Sequence, residues 1–210
     1  MKIQILCDNK NSWIVPYAKR LLKELQLTNK DVSYIELHEN VTAGDVLILL
    51  SCEQIYKRLD LNKYNLVVHE SALPKGRGWS PLTWQIVEGA SQITVTLFEA
   101  SIKVDNGPIY EQEVIEFSGS ELVDELRQIQ AEATIRLVHR FINKFPNVIR
   151  KTQTGESTFY KRRTKEESKL STDKTLVELF NILRISDNKR YPAWFEINGK
   201  KFELHIFEVK

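Results

Sequence analysis

The sequence predicts an open, mostly parallel α/β sheet of Rossmann-like type, followed by a small C-terminal α+β hairpin unit. Three observations carry that expectation. Short apolar runs alternate with helical patterns over the first hundred residues, as in strands joined by helical crossovers. The run Asp45–Ser51 (DVLILLS) is nearly all apolar, as befits a strand buried on both faces of a parallel sheet. Near the C-terminus Asn198-Gly199 separates two strand-like runs, and Asn-Gly suits a tight two-residue turn because both residues tolerate positive φ.

The elements follow in order. Residues 2–7 read as the first strand. Ser12 can cap a helix over about residues 13–25, with Ile14, Ala18, Leu21, Leu22 and Leu25 on its apolar side. Strands follow at Val32–Leu37 and Asp45–Ser51, then a helical turn or two near Gln54–Leu59. The strand Asn65–Val68 delivers His69 at its C-terminal end, and Glu70–Gly78 is a loop with Pro and Gly. A short helix at Pro81–Glu88, a strand at Ile93–Phe98, the turn Asp105-Asn106-Gly107 and a strand at Ile109–Phe117 come next. Ser118 and Glu121 have capping-box spacing for a long helix to about Lys144, with Leu122, Leu126, Ile129, Ala133, Leu137 and Phe141 facing the core. The composition changes after Pro146. Residues 150–174 are charged and threonine-rich and read as an extended crossing segment; Thr175–Arg184 reads as a helix, and Phe195–Ile197 with Lys201–Val209 as the hairpin. The expected division is a catalytic domain over 1–149 and a small extension over 150–210.

Length and charge narrow the function. A chain of 210 residues holds one sizeable domain with a small appendage. Its 30 basic and 28 acidic residues nearly balance, which argues against a general nucleic-acid-binding surface. Cys7 and Cys52 lie in apolar runs without metal-ligand spacing and read as free thiols in a reducing compartment; no metal is expected. The start MKIQILCDN has no signal-peptide pattern, and no apolar run approaches the roughly 20 residues of a membrane span. A soluble, cytoplasmic protein with no membrane partner is expected.

In open α/β sheets ligands gather beyond the C-terminal ends of the strands, where Ser51 and His69 fall. The stretch His69–Gly89 (HESALPKGRGWSPLTWQIVEG) and then Ile93–Gln112 holds a multi-part pattern: His69, Ser71, Leu73, Pro74, Arg77, Gly78, Pro81, Trp84, Val95, Thr96, Asp105 and Gly107. In this order they resemble the formyltransferase family, which includes methionyl-tRNA formyltransferase, glycinamide ribonucleotide formyltransferase and the sugar-amine N-formyltransferases. Weaker resemblance runs from the first strand to about Lys144. It implies the formyltransferase fold, 10-formyltetrahydrofolate as co-substrate, and His69 and Asp105 as the catalytic pair.

That chemistry suits these residue types. In formyl transfer an amine attacks the formyl carbon, an oxyanion forms, and the folate nitrogen leaves. An imidazole can move protons near neutrality or stabilise the oxyanion as a cation. A carboxylate beside it orients the ring. One departure stands out. The family places an asparagine two residues before the histidine as an oxyanion donor, and here that position is Val67. Asn65 lies two residues too early, about 7 Å along a strand. Ser51 or Asn106 are the candidate substitutes.

By family analogy the folate lies between the loop Ser71, Leu73, Pro74 and the strand end at Ser51 and Cys52. The later stretches Ser157–Ser168 (STFYKRRTKEES) and Leu179–Leu204 resemble the tails of sugar-nucleotide formyltransferases. The loop form HESALPKGRGWSPLTW is similar to formyltransferases of pseudaminic-type nonulosonic acid pathways, whose acceptor is a UDP-linked 4-amino-4,6-dideoxy sugar. Asn9, Ser12, Trp13, Lys75, Arg77, Trp79 and Arg163 are the expected contacts to that acceptor, since a diphosphate needs cations and a base or sugar ring needs an aromatic. About fifty residues follow the core, fewer than the large tRNA-holding C-terminal domain of methionyl-tRNA formyltransferases. Two alternatives stand beside this reading: another small amine or a methionyl-tRNA-like acceptor, and a non-catalytic homologue that only binds folate or a sugar nucleotide. Apolar tail residues such as Trp194 and Phe195 are expected to pack on the core or against a second copy in a homodimer.

Overall fold

The computed structural model describes residues 1–209. Its centre is a six-stranded sheet ordered β2-β1-β3-β4-β6-β7. The strands are β1 (Lys2–Leu6), β2 (Asp31–Ile35), β3 (Gly44–Leu49), β4 (Asn62–His69), β6 (Gln92–Glu99) and β7 (Ile109–Glu116). The first four run parallel; β6 and β7 pair antiparallel, with His69 opposite Thr96. This is the open, mostly parallel α/β sheet expected.

Strand alternation sorts the side chains onto two faces. Ile3, Ile5, Val46, Ile48, Leu66 and Val68 face the main core, against α1 (Val15–Gln26) and α3 (Val123–Lys144). Leu6, Leu47, Leu49 and Val67 face the other way, under loops rather than a long helix. α1 buries Ala18, Leu21 and Leu25, as its spacing predicts, and α3 buries Leu126, Ala133, Leu137 and Phe141. The two helices are joined across their surfaces by Arg20–Glu132 and His139–Glu24.

The remaining elements close the sheet's C-terminal edge. A two-residue strand β5 (Arg77–Gly78) follows the His69 loop, then α2 (Pro81–Val87). Residues 150 onward return along this edge: Lys151 pairs with Ile109, and β8 (Phe159–Tyr160) runs parallel to β5. The chain then forms α4 (Leu176–Arg184) and the hairpin β9 (Ala193–Ile197) and β10 (Lys200–Leu204), turning at Asn198-Gly199 with both φ positive. Leu170, Leu179, Leu183 and Ala193 make a small core of their own. Arg184–Glu121 and Arg127–Asp187 tie this unit to the start of α3.

Several local expectations are corrected. Ser12 does not cap α1, which starts at Val15 after Ile14; its hydroxyl bonds Ser51 Oγ at 2.9 Å instead. Gln54–Leu59 forms no helical turn, because the Asp8 carboxylate holds the amides of Glu53 and Gln54 in a loop; a short 3₁₀ turn comes only at Leu59–Leu61. Ser118 does not open α3. Glu121 takes the Ser118 and Gly119 amides, Gly119 turns the chain at φ +98°, and Glu125 then accepts the Leu122 amide at the true start. The second strand of the hairpin ends at Leu204, short of Val209. Trp84 of α2, part of the family pattern, stacks on Tyr160 with ring planes 9° apart and donates Nε1–H to the Lys161 carbonyl. Phe195 packs on the small C-terminal core, and Trp194 is buried within the chain, donating Nε1–H to the Lys165 carbonyl.

Candidate active site

β4 ends in His69, and its position in the parallel sheet brings that side chain to the edge where ligands collect. His69 is buried, and its Nε2–H donates to the Gly76 carbonyl at 2.8 Å. A carbonyl only accepts, so this bond puts the proton on Nε2 and leaves Nδ1 with the lone pair in the neutral ring. Asp105 Oδ2 stands 3.8 Å from Nε2 and accepts the Gly78 amide at 2.8 Å. The sheet thus brings together two residues 36 positions apart in sequence as a close imidazole–carboxylate pair.

The Asp105 turn is built to a narrow tolerance. Asp105 itself sits at φ +52°, a left-handed conformation that Asp tolerates better than most residues. Gly107 lies so close to β6 that a Cβ would come 1.7 Å from the Glu99 carbonyl oxygen. Gln153, from the returning segment, donates Nε2–H to the carbonyls of Asp105 and Gly107, and Arg77 donates to Gln153 Oε1 at 2.6 Å. Gln153→Ala removes this brace and leaves two partly buried carbonyls without it. A stability loss of about 1–3 kcal/mol by urea unfolding is expected, and an unchanged midpoint would show that the brace is idle.

The expected oxyanion position is hydrocarbon. Val67 packs beside Leu73, Phe98 and Ile109. Asn65 cannot replace it, because its Nδ2 is spent on the Leu59 carbonyl at 2.9 Å and lies against Glu99 Oε1 at 3.3 Å. Burial raises the Glu99 carboxyl, and Tyr110 donates to it, so this cluster is part of the sheet's packing.

The residues expected at the folate are divided by the structure. Ser51 lies exposed at φ +51° just past β3, and Cys52 follows half-buried, its thiol pushed up to about 12 by burial. Ser71, Leu73 and Pro74 are buried and form the underside of the loop. The Ser71 carbonyl accepts from Thr96 Oγ1 at 2.7 Å, while the Ser71 hydroxyl is buried without a partner among the described residues. Asp8, His38 and Cys52 each place one donor atom within 4.8 Å of the others, but the Asp8 carboxylate is already taken by His38 and two backbone amides.

The expected acceptor contacts also separate. Trp13, Trp79 and Arg163 come together in a cavity of ≈ 230 Å³, with Arg127, Gln130, Arg162, Arg190 and Tyr191. Four guanidiniums face it against a single carboxylate, Asp187. Arg162 lies 4.6 Å over the Trp79 ring. Arg163 is largely desolvated, which lowers its pKa; among the described residues it donates only to Ser168 Oγ, and its Nε has no partner there. Arg77 is not there: it faces a second cavity with Asn106, Arg150 and Gln153. Asn9 bonds Glu53 at 2.7 Å, Ser12 bonds Ser51, and Lys75 is exposed. Arg127, Arg190 and Tyr191 were invisible as site residues in the sequence. They arrive from α3 and the α4–β9 connection, and no local motif marks them.

Known proteins resemble this chain in sequence and in fold. The family model described as formyl transferase matches residues 15–142. The methionyl-tRNA formyltransferase of Flavobacterium psychrophilum is 28% identical over 96% of this chain, and the chain spans 66% of that relative's length. HypX from Aquifex aeolicus, solved in complex with tetrahydrofolic acid, superposes with a TM-score of 0.80 at 19% identity, over 98% of this chain and 37% of its own. A sugar N-formyltransferase from a Shewanella species superposes with a TM-score of 0.70 at 18% identity, over 100% of this chain and 99% of its own. The family match covers β4, the His69 loop and the Asp105 turn, so the chain belongs to the formyl transferase family.

Proposed function

We propose that this protein transfers a formyl group from 10-formyltetrahydrofolate to the amine of a nucleotide-linked amino sugar, with a UDP-linked 4-amino-4,6-dideoxy sugar as the specific acceptor. The observation that carries the acceptor class is the arginine- and tryptophan-lined cavity. Guanidiniums in excess suit a diphosphate, and the Trp13, Trp79 and Tyr191 rings suit a base or a sugar face. The folate is placed at the strand ends near Ser51, Cys52 and the His69 loop. The orphaned Ser71 hydroxyl fits a polar co-substrate there. Free Cys7 and Cys52 suit a reducing compartment, and we place the reaction in the cytoplasm.

In this reading His69 carries a proton from the attacking amine to the departing folate nitrogen. Asp105, anchored by the Gly78 amide, fixes the ring's electrostatics. Val67 supplies no donor, so stabilisation of the oxyanion falls to the imidazole or to backbone and side-chain donors of the neighbouring loops. The methionyl-tRNA formyltransferase relatives keep an aminoacyl-tRNA acceptor as a second reading.

An assay of tetrahydrofolate release with 3-amino and 4-amino sugar nucleotides, and with methionyl-tRNA, separates the two. Turnover with a sugar nucleotide and none with the tRNA is expected. Arg163→Ala is expected to raise KM for the sugar nucleotide about 10–100-fold, from loss of a desolvated charge contact. An unchanged KM would remove this cavity from the acceptor site.

A further inference from the structure

We infer that Thr158, in the C-terminal extension, is a positioning residue for the His69 imidazole: it pins the peptide that holds the ring, so that the extension completes the catalytic centre. The inference rests on reading His69 as the proton carrier of formyl transfer. The family match ends at residue 142, and Thr158 lies beyond it, just before β8.

Two hydrogen bonds reach Thr158 from the His69 loop. The Gly76 amide donates to Thr158 Oγ1 at 2.8 Å, and the Arg77 amide donates to the Thr158 carbonyl at 2.9 Å. The Arg77 N–H and the Gly76 carbonyl belong to one planar peptide and point in opposite directions. Holding that N–H on Thr158 therefore turns the Gly76 carbonyl the other way, where it accepts His69 Nε2–H at 2.8 Å. The Gly76 N–H belongs to the preceding peptide. Thr158 thus holds both planes that flank the Gly76 Cα and sets the dihedrals of that residue. Glycine is needed at this joint: φ is +69°, and a Cβ would lie 2.9 Å from Ser71 Cβ and 3.1 Å from Tyr160 Cε2. A residue free enough to adopt this turn is also free to leave it, and Thr158 Oγ1 supplies the restraint.

The same short stretch sets the geometry of the pair. The Gly78 amide donates to Asp105 Oδ2 at 2.8 Å, and the Trp79 amide donates to the Tyr160 carbonyl at 3.1 Å. The acceptor for the imidazole and the anchor of the carboxylate therefore sit on one segment, Gly76–Gly78, and β8 runs parallel to its β5 part. The extension reaches it at both ends, with Thr158 at Gly76 and Gln153 at the Asp105 turn. A shift of Gly76 alone changes the 3.8 Å between His69 Nε2 and Asp105 Oδ2. The bond from the Arg77 N–H also polarises its peptide and makes the Gly76 carbonyl a stronger acceptor. A stronger acceptor there favours the ring forms that carry a proton on Nε2 over the neutral form that carries it only on Nδ1.

The test is Thr158→Val, which keeps the shape and puts a methyl where the hydroxyl accepts, with Thr158→Ser as the conservative variant that keeps the acceptor. Thr158 is exposed, so neither change enters the core. Heteronuclear NMR of the imidazole nitrogens at alkaline pH reads which nitrogen of His69 carries the proton, with His69→Gln assigning the signals. Turnover is read by tetrahydrofolate release. Wild-type His69 is expected in the Nε2–H form. Thr158→Val is expected to show a mixture of the two tautomers and a kcat about 10-fold lower, at unchanged KM for the sugar nucleotide. Thr158→Ser should restore both. An unchanged tautomer in Thr158→Val overturns the inference, even if the urea midpoint falls, because Thr158 is then only a structural contact. A mixed tautomer with wild-type kcat overturns the part of Thr158 in the reaction. The NMR reading needs no acceptor. Wild-type protein inactive on every amine, or turnover undiminished by His69→Ala, overturns the catalytic reading instead, and the tautomer in Thr158→Val still decides whether Thr158 holds the ring.

Discussion

His69→Ala is expected to lower kcat by about 10²–10⁴-fold, the span of a lost general acid–base group. The imidazole is buried at the end of β4, and its Nε2–H is committed to the Gly76 carbonyl. Removing it takes away the proton carrier and also leaves that carbonyl without its donor, a cost of about 1–3 kcal/mol. The two effects are separable. His69→Gln can keep a hydrogen bond to Gly76 while abolishing proton transfer, so it should recover most of the lost stability and little of the lost kcat. Affinity for the sugar nucleotide should be retained in both variants, because the arginine cavity is built from other elements. Turnover by His69→Ala comparable with wild type would sink the mechanism. Sugar-nucleotide binding without turnover in wild type would instead favour the binding-only alternative that Val67 keeps in view.

The second large effect is expected at Gly107, which does not line the arginine-rich cavity. An added Cβ would lie 1.7 Å from the Glu99 carbonyl oxygen, which is backbone of the central sheet. Ordinary contact begins near twice that separation, so the turn must move away from β6. Gln153 binds the carbonyls of both Asp105 and Gly107, so the turn moves as a unit and takes the Asp105 carboxylate with it. Overpacking costs about 1–3 kcal/mol, and misplacing a catalytic group by 1 Å can cost about 100-fold. Gly107→Ala should therefore lower the urea midpoint and reduce kcat about 100-fold or more. Retention of both would mean that the turn is softer than its packing implies.

Much of this was legible one residue at a time. The nearly all-apolar Asp45–Ser51 run marked a strand buried on both faces, and Asn198-Gly199 marked the hairpin. Local competition was harder to read. Ser12 has the chemistry of a helix cap but finds Ser51 Oγ across the strand ends, and the Gln54–Leu59 segment is held as loop by Asp8, just beyond β1. In both cases the stronger partner is about forty residues away and leaves no trace in the local pattern. The site divides in the same way. His69 and Asp105 stand out by motif, whereas the cavity's Arg127, Arg190 and Tyr191 are ordinary surface residues until α3 and the α4–β9 connection are brought together.

Periodicity and motif spacing are local properties of the chain, so the alternation of strands and helices, the family resemblance and the candidate imidazole and carboxylate can be read without a fold. Folding alone sets which cations share a cavity and brings Arg77 against Gln153. Those outcomes depend on strand register and on contacts between distant segments. A one-residue step along β4 reverses the face a side chain presents, and only the paired sheet shows what stands opposite each face.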